Sequence, residues 1–361
     1  MEHGDAGRGG ARPMVVRVPV EPVEAAVEAD ALDAVVRTGN LVVRGPLFGV
    51  AAQEEGDEHV WRMIVAVTLG CPQQARDSLN SLLWFRAKDG AGDRAERRAL
   101  LAAVAKLETE HVDELSAAGT RYRIVRAEEY AAVGALGEME GPRPTDAEPP
   151  VPDWTRGARG PAVDEGLMLD PSAPVTPTQI AERLALRDLC YSGVRFPRDV
   201  LADSRRAVTT HPDILLLPPT FTVVEQTANA WAPVNGPHAT AHAARRSLDF
   251  SLTWAWPRMN GLIPVDGPMD ADARTETETE SSGAGTAGPL AAYARAAAAL
   301  RAGRVNRLEF QGTVYQIART RRLLRWGGDG PEGPRPSDVN TQEPTRLHPS
   351  LDEDGRVVSD D

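Results

Sequence analysis

Residues 119–126 read GTRYRIVR, and residues 312–319 read GTVYQIAR. The stretch GPRPTD at 141–146 likewise returns as GPRPSD at 333–338. The two pairs keep their order along the 361-residue chain, and their offsets are nearly equal, at 312 − 119 = 193 and 333 − 141 = 192. Paired strings of this kind predict that one structural unit is written twice in the chain.

Further matches extend the two copies upstream. LFGVAAQ (47–53) aligns with TFTVVEQ (220–226), and ARDSLNSLL (75–83) aligns with ARRSLDFSL (244–252) at an offset of 169. The low-complexity stretch PMDADARTETETESSGAGTAGP (268–289) lies between this point and the offset of 193. Because the entropy of loop closure grows slowly with length, an insertion in an exposed loop costs little. One inserted loop therefore accounts for the change in offset.

The spacing of apolar residues predicts the elements of each copy. The first copy reads as a helix over 22–37, strands over 41–51 and 60–67, helices over 72–88 and 94–116, and a strand over 120–130. The second reads as a helix over 197–209, strands over 213–225 and 230–235, helices over 241–255 and 289–303, and a strand pair over 306–326. The order α-β-β-α-α-β, written twice, predicts an α+β fold of two tandem units packed as a pseudo-symmetric body.

This interpretation divides the chain into five regions. We expect a flexible N-terminus at 1–20, a first unit at 21–150, a Pro-rich linker with a helix at 151–196, a second unit at 197–338 with a disordered insertion at 268–289, and a disordered acidic tail at 339–361. Within the linker, Thr176 is predicted to cap a helix that has Pro177 at its first position.

Composition limits the class of protein. The chain carries 40 Lys and Arg against 52 Asp and Glu, and this formal net charge of −12 argues against a general binder of nucleic acid or anionic membranes. No N-terminal segment resembles a signal peptide, and no apolar run reaches the length of a membrane span. Two cysteines make no disulfide framework. We therefore expect a cytoplasmic protein without a membrane segment.

Three short motifs resemble known sites and lack their context. GDGPEG (328–333) matches the dinucleotide pattern, but prolines follow it where a helix is required. In HATAH (238–242) the residue after the first histidine is alanine instead of the catalytic glutamate, and Thr240 is the expected cap of the next helix. Cys71 stands at a helix start but aligns with Thr240, which cannot act as a thiolate. We therefore predict no metal and no cofactor.

The strongest positive signal is a cluster of arginines in the second copy. Residues 319–326 read RTRRLLRW, and the only acid between 301 and 326 is Glu309. Guanidinium groups bind phosphate or carboxylate through two parallel hydrogen bonds, and Trp326 could stack on a planar group. The competing interpretation is that these arginines pair with carboxylates of the protein itself, in a chain whose basic residues are nearly all arginine.

Polar residues that match in both copies are further candidates. These pairs are Arg76/Arg245, Gln53/Gln226 and Arg126/Arg319, and buried hydrogen bonding between elements explains them as well as a function does. The predicted ligand-binding residues are therefore Arg319, Arg321, Arg322, Arg325, Trp326, Arg245 and Arg76.

The phrases LNSLLWFRAKD, GTVYQIARTRRLLRWG and GPEGPRPSD resemble an uncharacterised actinobacterial protein family, known as a domain of unknown function. The resemblance covers nearly the whole chain. It implies a cytoplasmic, actinobacterial protein, and it brings no activity, cofactor or site residue with it.

Three hypotheses about function remain. The first is a non-catalytic intracellular scaffold that binds a protein partner or itself, because the chain has no catalytic motif such as GxSxG, HExxH or a Walker loop. The second is a binder of an anionic ligand, nucleotide or nucleic acid through the arginines of the second copy. The third is an enzyme with a site at the interface of the two units. The sequence favours the first over the enzyme.

Overall fold

A computed structural model gives the fold of the protein. It describes residues 12–56, 60–135, 137–227, 230–280, 288–340 and 342–358. Residues 1–11 of the predicted flexible N-terminus, residues 359–361 of the predicted acidic tail and residues 281–287 of the predicted insertion lie outside the described residues.

The described residues form nine α-helices and ten strands. The helices are α1 (Pro22–Arg37), α2 (Pro72–Phe85), α3 (Arg94–Leu107), α4 (Pro177–Leu186), α5 (Arg198–Thr210), α6 (Ala241–Phe250), α7 (Trp256–Met259), α8 (Ala273–Glu280) and α9 (Pro289–Ala302). The strands are β1 (Asn40–Glu54), β2 (Trp61–Leu69), β3 (Glu114–Ala117), β4 (Thr120–Val133), β5 (Met168–Leu169), β6 (Asp213–Thr227), β7 (Ala230–Pro233), β8 (Arg307–Phe310), β9 (Thr313–Gly327) and β10 (Gly330–Pro331). One π-helical turn follows α2 (Arg86–Gly90) and another follows α6 (Ser251–Ala255).

All ten strands belong to one sheet with antiparallel ladders, so the fold is α+β. The main path runs β5-β2-β1-β4-β9-β6-β7, with β3 paired to β4 and both β8 and β10 paired to β9. Outward from the β4–β9 contact, the order β4-β1-β2 on one side therefore corresponds to the order β9-β6-β7 on the other. We call residues 40–133 the first half and residues 213–327 the second half.

The register at the centre of the sheet follows the same pattern. Glu129 lies opposite Arg322, and these positions are aligned in the sequence at the offset of 193. On either side, Ala127 faces Leu324 and Ala131 faces Thr320. Each position of β4 is thus paired with a position of β9 that lies equally far from this centre.

Tight turns lead into both long central strands. Gly119 joins β3 to β4 at φ 74°, and Gly312 joins β8 to β9 at φ 79°, so both adopt a left-handed conformation that glycine tolerates without strain. The predicted turn at these glycines is confirmed. The predicted helix over 94–116 is too long, because α3 ends at Leu107 and the next residues form β3.

Helices cover one side of each half. In the first half, α2 and α3 bury Leu79, Leu83 and Leu100 against Phe48 and Ile124 of the sheet. In the second half, α6 and α9 bury their apolar stripes in the same way. The residues of that core include Leu248, Leu300, Phe221 and Ile317. Shared positions of the two copies, such as Phe48 and Phe221, therefore lie in the cores, as their sequence pattern predicts.

Two regions differ from the expectation of disorder. Residues 273–280 of the predicted insertion form α8, and Ala271 and Ala273 are buried against the core of the second half. Residues 342–358 of the predicted tail are placed against the first half, where Leu351 packs on the core. In both regions a few apolar residues in an acidic stretch of sequence make the contact with the core.

The predicted helix caps agree with the structure. Thr176 forms a capping box with Gln179 at the start of α4, and the hydroxyl of Thr240 accepts a hydrogen bond from the backbone N–H of Ala243 in α6. In the part of the chain that the structure covers, no helix combines the length and apolar content that crossing a bilayer requires.

Candidate functional site

Two arms leave the central strands and cross to the opposite half. The first arm, residues 141–157, follows β4, and the second arm, residues 333–340 and 342–358, follows β10. The Nε of Arg319, in the second half, donates to both carboxylate oxygens of Asp146 in the first arm, at 3.1 and 3.0 Å. The Nε of Arg126, in the first half, donates to both oxygens of Asp338 in the second arm, at 3.1 and 2.9 Å. Each arm is thus anchored to the other half.

A second matching pair of arginines holds the arms further along. Nη2 of Arg76 donates to Asp113 at 2.6 Å, and Nη1 donates to Oδ1 of Asn340 in the second arm at 3.3 Å. In the second half, Arg245 donates in the same way to Asn306 at 2.6 Å and to Glu148 in the first arm. Both arginines are almost fully buried. Arg76 and Arg245 therefore connect a helix, a loop and the crossing arm in each half.

The predicted arginine cluster does not form one surface. Side chains alternate along a strand, so Arg319, Arg321 and Arg325 lie on one face of β9, and Arg322 and Trp326 lie on the other. Arg319 and Arg321 do come together, because both approach Glu140, just before the first arm, at 3.9 and 3.2 Å.

These arginines have their ion-pair or hydrogen-bond partners inside the protein. Arg321 pairs with Glu182 of α4 at 2.5 Å. Arg322 is fully buried and forms a two-point ion pair with Asp164. Arg325 donates to the carbonyl oxygens of Arg187 and Leu189, at 3.1 and 2.6 Å, just beyond the C-terminus of α4.

Trp326 is 2% exposed and packs in the apolar cluster on the reverse side of the sheet. These contacts fit the competing interpretation of internal ion pairing. A ligand site at the seven residues stays a prediction.

The second arm fills a groove on the first half. The His348 ring stacks on Trp84, with ring centroids 4.6 Å apart, and its Nε2 lies 2.9 Å from the hydroxyl of Ser81. Trp84 donates from Nε1 to the carbonyl oxygen of Pro349 at 3.0 Å. An edge contact to Phe85 at 5.5 Å completes the frame around the imidazole.

The corresponding groove of the second half contains a cavity of about 700 Å³. Counted from the ARRSLDFSL alignment, Ser81, Trp84 and Phe85 correspond to Phe250, Thr253 and Trp254, and all three of the latter line this cavity. Counted on from GPRPTD without a gap, Arg156 of the first arm corresponds to His348. The first arm turns at Gly157, which has φ 85°, and Gly160 lies close to Ala243 and Arg246 of α6.

Aromatic rings form the walls of this cavity, which we name the Trp154 cavity. Phe250 and Trp254 stack with centroids 5.2 Å apart. Trp154 of the first arm meets the His242 ring edge-on at 4.9 Å, and His242 is fixed by a contact of 2.9 Å from its Nε2 to the carbonyl oxygen of Asp153. Flat apolar faces with polar edges suit a planar ligand.

The Trp154 cavity carries more positive than negative charge. It is lined by four arginines, Arg156, Arg246, Arg274 and Arg301, and by two aspartates, Asp249 and Asp272. Asp249 pairs with Arg301 at 2.5 Å, and Asp272 pairs with Arg274 at 2.8 Å.

Two arginines are left over. Arg156 donates to the carbonyl oxygen of Met269 and lies over the Trp254 ring. Arg246 makes no hydrogen bond or ion pair with any residue within the described ranges, and its charge acts on the nearby Asp153 only through a longer-range electrostatic interaction.

His238 adds a polar atom without a partner. Its Nε2 is buried and has no hydrogen-bond partner among the described residues, although the residue lines the cavity. Burial, assisted by the positive charge of Arg246, lowers the pKa of the His238 imidazole. The ring is therefore neutral at pH 7, and one of its nitrogens carries a proton that can be donated.

The sequence analysis missed Arg246, Trp154 and Phe250. The signal that could have found two of them lies in the same alignment: Arg246 stands opposite Asp77, a reversal of charge, and Phe250 stands opposite Ser81. Trp154 was placed in the linker, because nothing in the sequence shows that the arm crosses to the other half. Among the described residues, no group of three or more His, Cys, Asp or Glu side chains could hold a metal ion.

Comparisons with other proteins give a family and no activity. A family model described as "Family of unknown function (DUF5954)" matches residues 21–341, most of the chain. No curated protein matches the chain, and no solved structure does.

Proposed function

The chain belongs to the family of unknown function DUF5954, so we propose a function from its own residues: the second half binds a small planar anion in the Trp154 cavity. The ligand class is an aromatic ring that carries a phosphate or carboxylate group. The function is binding without a chemical step, since both carboxylates of the cavity, Asp249 and Asp272, are committed to arginines.

One observation carries this proposal. Arg246 lines a cavity walled by aromatic rings and has no partner among the residues that the structure describes. Although the protein has 52 acidic and 40 basic residues, no carboxylate among the described residues forms an ion pair with Arg246. An anion would supply the missing charge-assisted hydrogen bonds, which are the strong ones in proteins.

The size and chemistry of the cavity agree with a small ligand. Pockets for small molecules occupy about 300–1,000 Å³ and combine apolar walls with a few polar groups. The Trp154 cavity, at about 700 Å³, combines the stacked pair Phe250 and Trp254 with Arg246 and the free Nε2 of His238. The ring of the ligand would stack, and its charged group would lie at Arg246.

Three probes separate the two parts of this recognition. Adenosine monophosphate has a ring and a phosphate, adenosine has only the ring, and inorganic phosphate has only the charge. Titration calorimetry and quenching of tryptophan fluorescence should show adenosine monophosphate binding more tightly than adenosine or phosphate alone. Benzoate tests the carboxylate form of the same chemistry.

Arg246→Gln should weaken binding about 10- to 100-fold, because a hydrogen bond to a charged group is worth about 1.5–3 kcal/mol. The matched control is Arg205→Gln, an exposed arginine of α5 that lies outside the cavity. Equal binding by wild type and the Arg246 variant would refute the proposal, and so would a failure of all four probes to bind the wild type.

We also propose that the two halves descend from one duplicated unit. The mirror order of strands, the pairing of Glu129 with its aligned position Arg322, and the exchange of arms anchored by Arg126 and Arg319 all support it. On this proposal the first half kept its groove closed by its arm, and the second half opened the same groove for a ligand.

A further inference from the structure

Helix α1 contacts the rest of the protein through its polar side chains. The carboxylate of Glu28 accepts hydrogen bonds from the backbone N–H and the hydroxyl of Thr178, both at 2.6 Å. The carboxylate of Asp30 accepts from the backbone N–H and the hydroxyl of Thr145, at 3.0 and 2.7 Å. Ala34 is the one residue of α1 that is buried. A helix normally turns its apolar stripe inward, and α1 does the reverse.

The outward face of α1 carries a regular apolar stripe. Pro22, Ala25, Ala29, Leu32 and Val36 follow one another at intervals of 3, 4, 3 and 4 residues, which is the spacing of the contact seam in a coiled coil. All five are exposed, Leu32 to 57% and Val36 to 87%.

Exposed apolar residues also flank the helix in the chain. Val18 and Val20 precede α1 and are 67% and 86% exposed, and Leu41 and Val42 follow it at 46% each. Large exposed apolar patches on a soluble protein mark sites of association.

We propose that α1 is a dimerisation helix, which pairs antiparallel with α1 of a second copy of this chain. In this register Ala25 lies opposite Val36 of the second copy, and Ala29 lies opposite its Leu32. Small residues face large ones in each layer, and the two-fold axis repeats both layers, so the surface is complementary to itself.

Charge at the two ends of the helix selects this partner and this direction. Glu21 is the N-cap residue, Glu24 in the first turn pairs with Arg17, and the last residue is Arg37. Antiparallel pairing sets Arg37 beside the acidic first turn of the second copy and opposes the helix dipoles favourably. Parallel pairing would set Glu21 and Glu24 against their own copies. An anionic lipid surface is disfavoured by the same glutamates.

Sedimentation velocity of the full chain over a range of concentrations tests the dimer. The exposed face of a helix of 16 residues is small beside a standard interface of about 800 Å² per partner, and we expect a weak dimer that is populated at micromolar concentrations and above. Leu32→Glu buries a carboxylate in two layers and weakens the dimer by about 100-fold or more.

Val194→Glu, at a fully exposed valine outside α1, is the matched control and leaves the dimer unchanged. Circular dichroism confirms that both variants fold. A wild type that stays monomeric far above micromolar concentration overturns the proposal, and so does a dimer that is indifferent to Leu32→Glu.

Cross-linking tests the direction of the pair. The variants Ala25→Cys and Val36→Cys are oxidised separately and as a mixture, with the unsubstituted chain as the background for Cys71 and Cys190. Antiparallel pairing gives a disulfide dimer only in the mixture, because residues 25 and 36 of one helix are about 16 Å apart along its axis. Disulfide dimers of each variant alone would overturn the antiparallel arrangement.

Discussion

The grooves of the two halves are built from corresponding positions and end in opposite states. In the first half, Ser81, Trp84 and Phe85 enclose the imidazole of His348, which the second arm delivers. In the second half, Phe250 and Trp254 border a cavity, and the first arm supplies Arg156 at the position that corresponds to His348. A few residues at the end of an arm thus decide whether the same groove is sealed or accessible.

The halves also differ where they meet. Glu129 of β4 and Arg322 of β9 lie opposite each other at the centre of the sheet. Glu129 is 3.6 Å from Arg44, whereas Arg322 forms a fully buried ion pair with Asp164. Corresponding positions of the two halves therefore carry opposite charges and form ion pairs of different length and burial.

The largest effect is expected at this central pair. Asp164→Asn leaves the Arg322 guanidinium buried without its counter-charge, and breaking a buried pair in this way costs about 3–5 kcal/mol of unfolding free energy. Glu129→Gln should reduce the unfolding free energy clearly less, because the ion-pair partner of Glu129, Arg44, is more distant. Urea denaturation of the two variants measures the difference. Equal losses would show that the centre of the sheet is symmetric in energy.

The second prediction concerns acid. Burial alone would raise the pKa of Glu128, but Arg126, Arg335 and a hydrogen bond from Tyr191 outweigh it and lower the pKa. A carboxylate with a lowered pKa in the folded state contributes stability above its unfolded pKa of about 4.5, and this contribution disappears as the pH falls through the folded value.

Stability should therefore decline below about pH 4.5, and Glu128→Gln should make the decline shallower. Thermal melts from pH 7 to pH 3 give the slope. The corresponding position in the second half is Arg321, which does not titrate in this range, so this contribution to acid sensitivity has no counterpart at the equivalent position. An unchanged slope in the variant would argue against this assignment.

A smaller effect is expected where the groove is sealed. His348→Ala removes the stack on Trp84 and the contact to Ser81, at a cost of about 1–2 kcal/mol. Hydrogen exchange in residues 342–358 should rise while exchange in the second half stays constant. Trp154→Ala, a change in the first arm, should weaken ligand binding instead. Faster exchange in both halves would mean that the arms are coupled.

The smallest difference between the two halves is expected at the two hairpin glycines. Gly119→Ala and Gly312→Ala each place a side chain at positive φ, which costs about 1–2 kcal/mol. The two losses should agree closely, since both glycines close equivalent hairpins. Chemical denaturation of both variants checks this. A large difference between the two losses would show that the two hairpins are not equivalent in energy.

Much of the fold follows from local sequence, and the site does not. Glycines at the hairpin turns, prolines at helix starts and the caps Thr176 and Thr240 act over a few residues, so their positions could be predicted. The end of α3 could not, because the residues that follow Leu107 pair with β4 instead of extending the helix.

The arginines of RTRRLLRW were the best sequence signal for a ligand, and their ionic partners are distant in the chain. Asp146 lies 173 residues from Arg319, and Asp164 lies 158 residues from Arg322. Sequence shows a run of positive charge and cannot show which acids return to meet it. Arg246 gave the weaker signal, a charge reversal against Asp77, and it has no ion-pair partner among the residues that the structure describes.

The exchange of arms imposes an order on biosynthesis. Arg126 is almost fully buried in the finished protein, yet Asp338, which holds it, is 212 residues further along the chain. A ribosome that adds about 5–20 residues per second makes Asp338 about 10–40 s after Arg126. During that interval the first half has neither its anchor nor the arm that seals its groove. The first half therefore completes its fold only after the second arm is made.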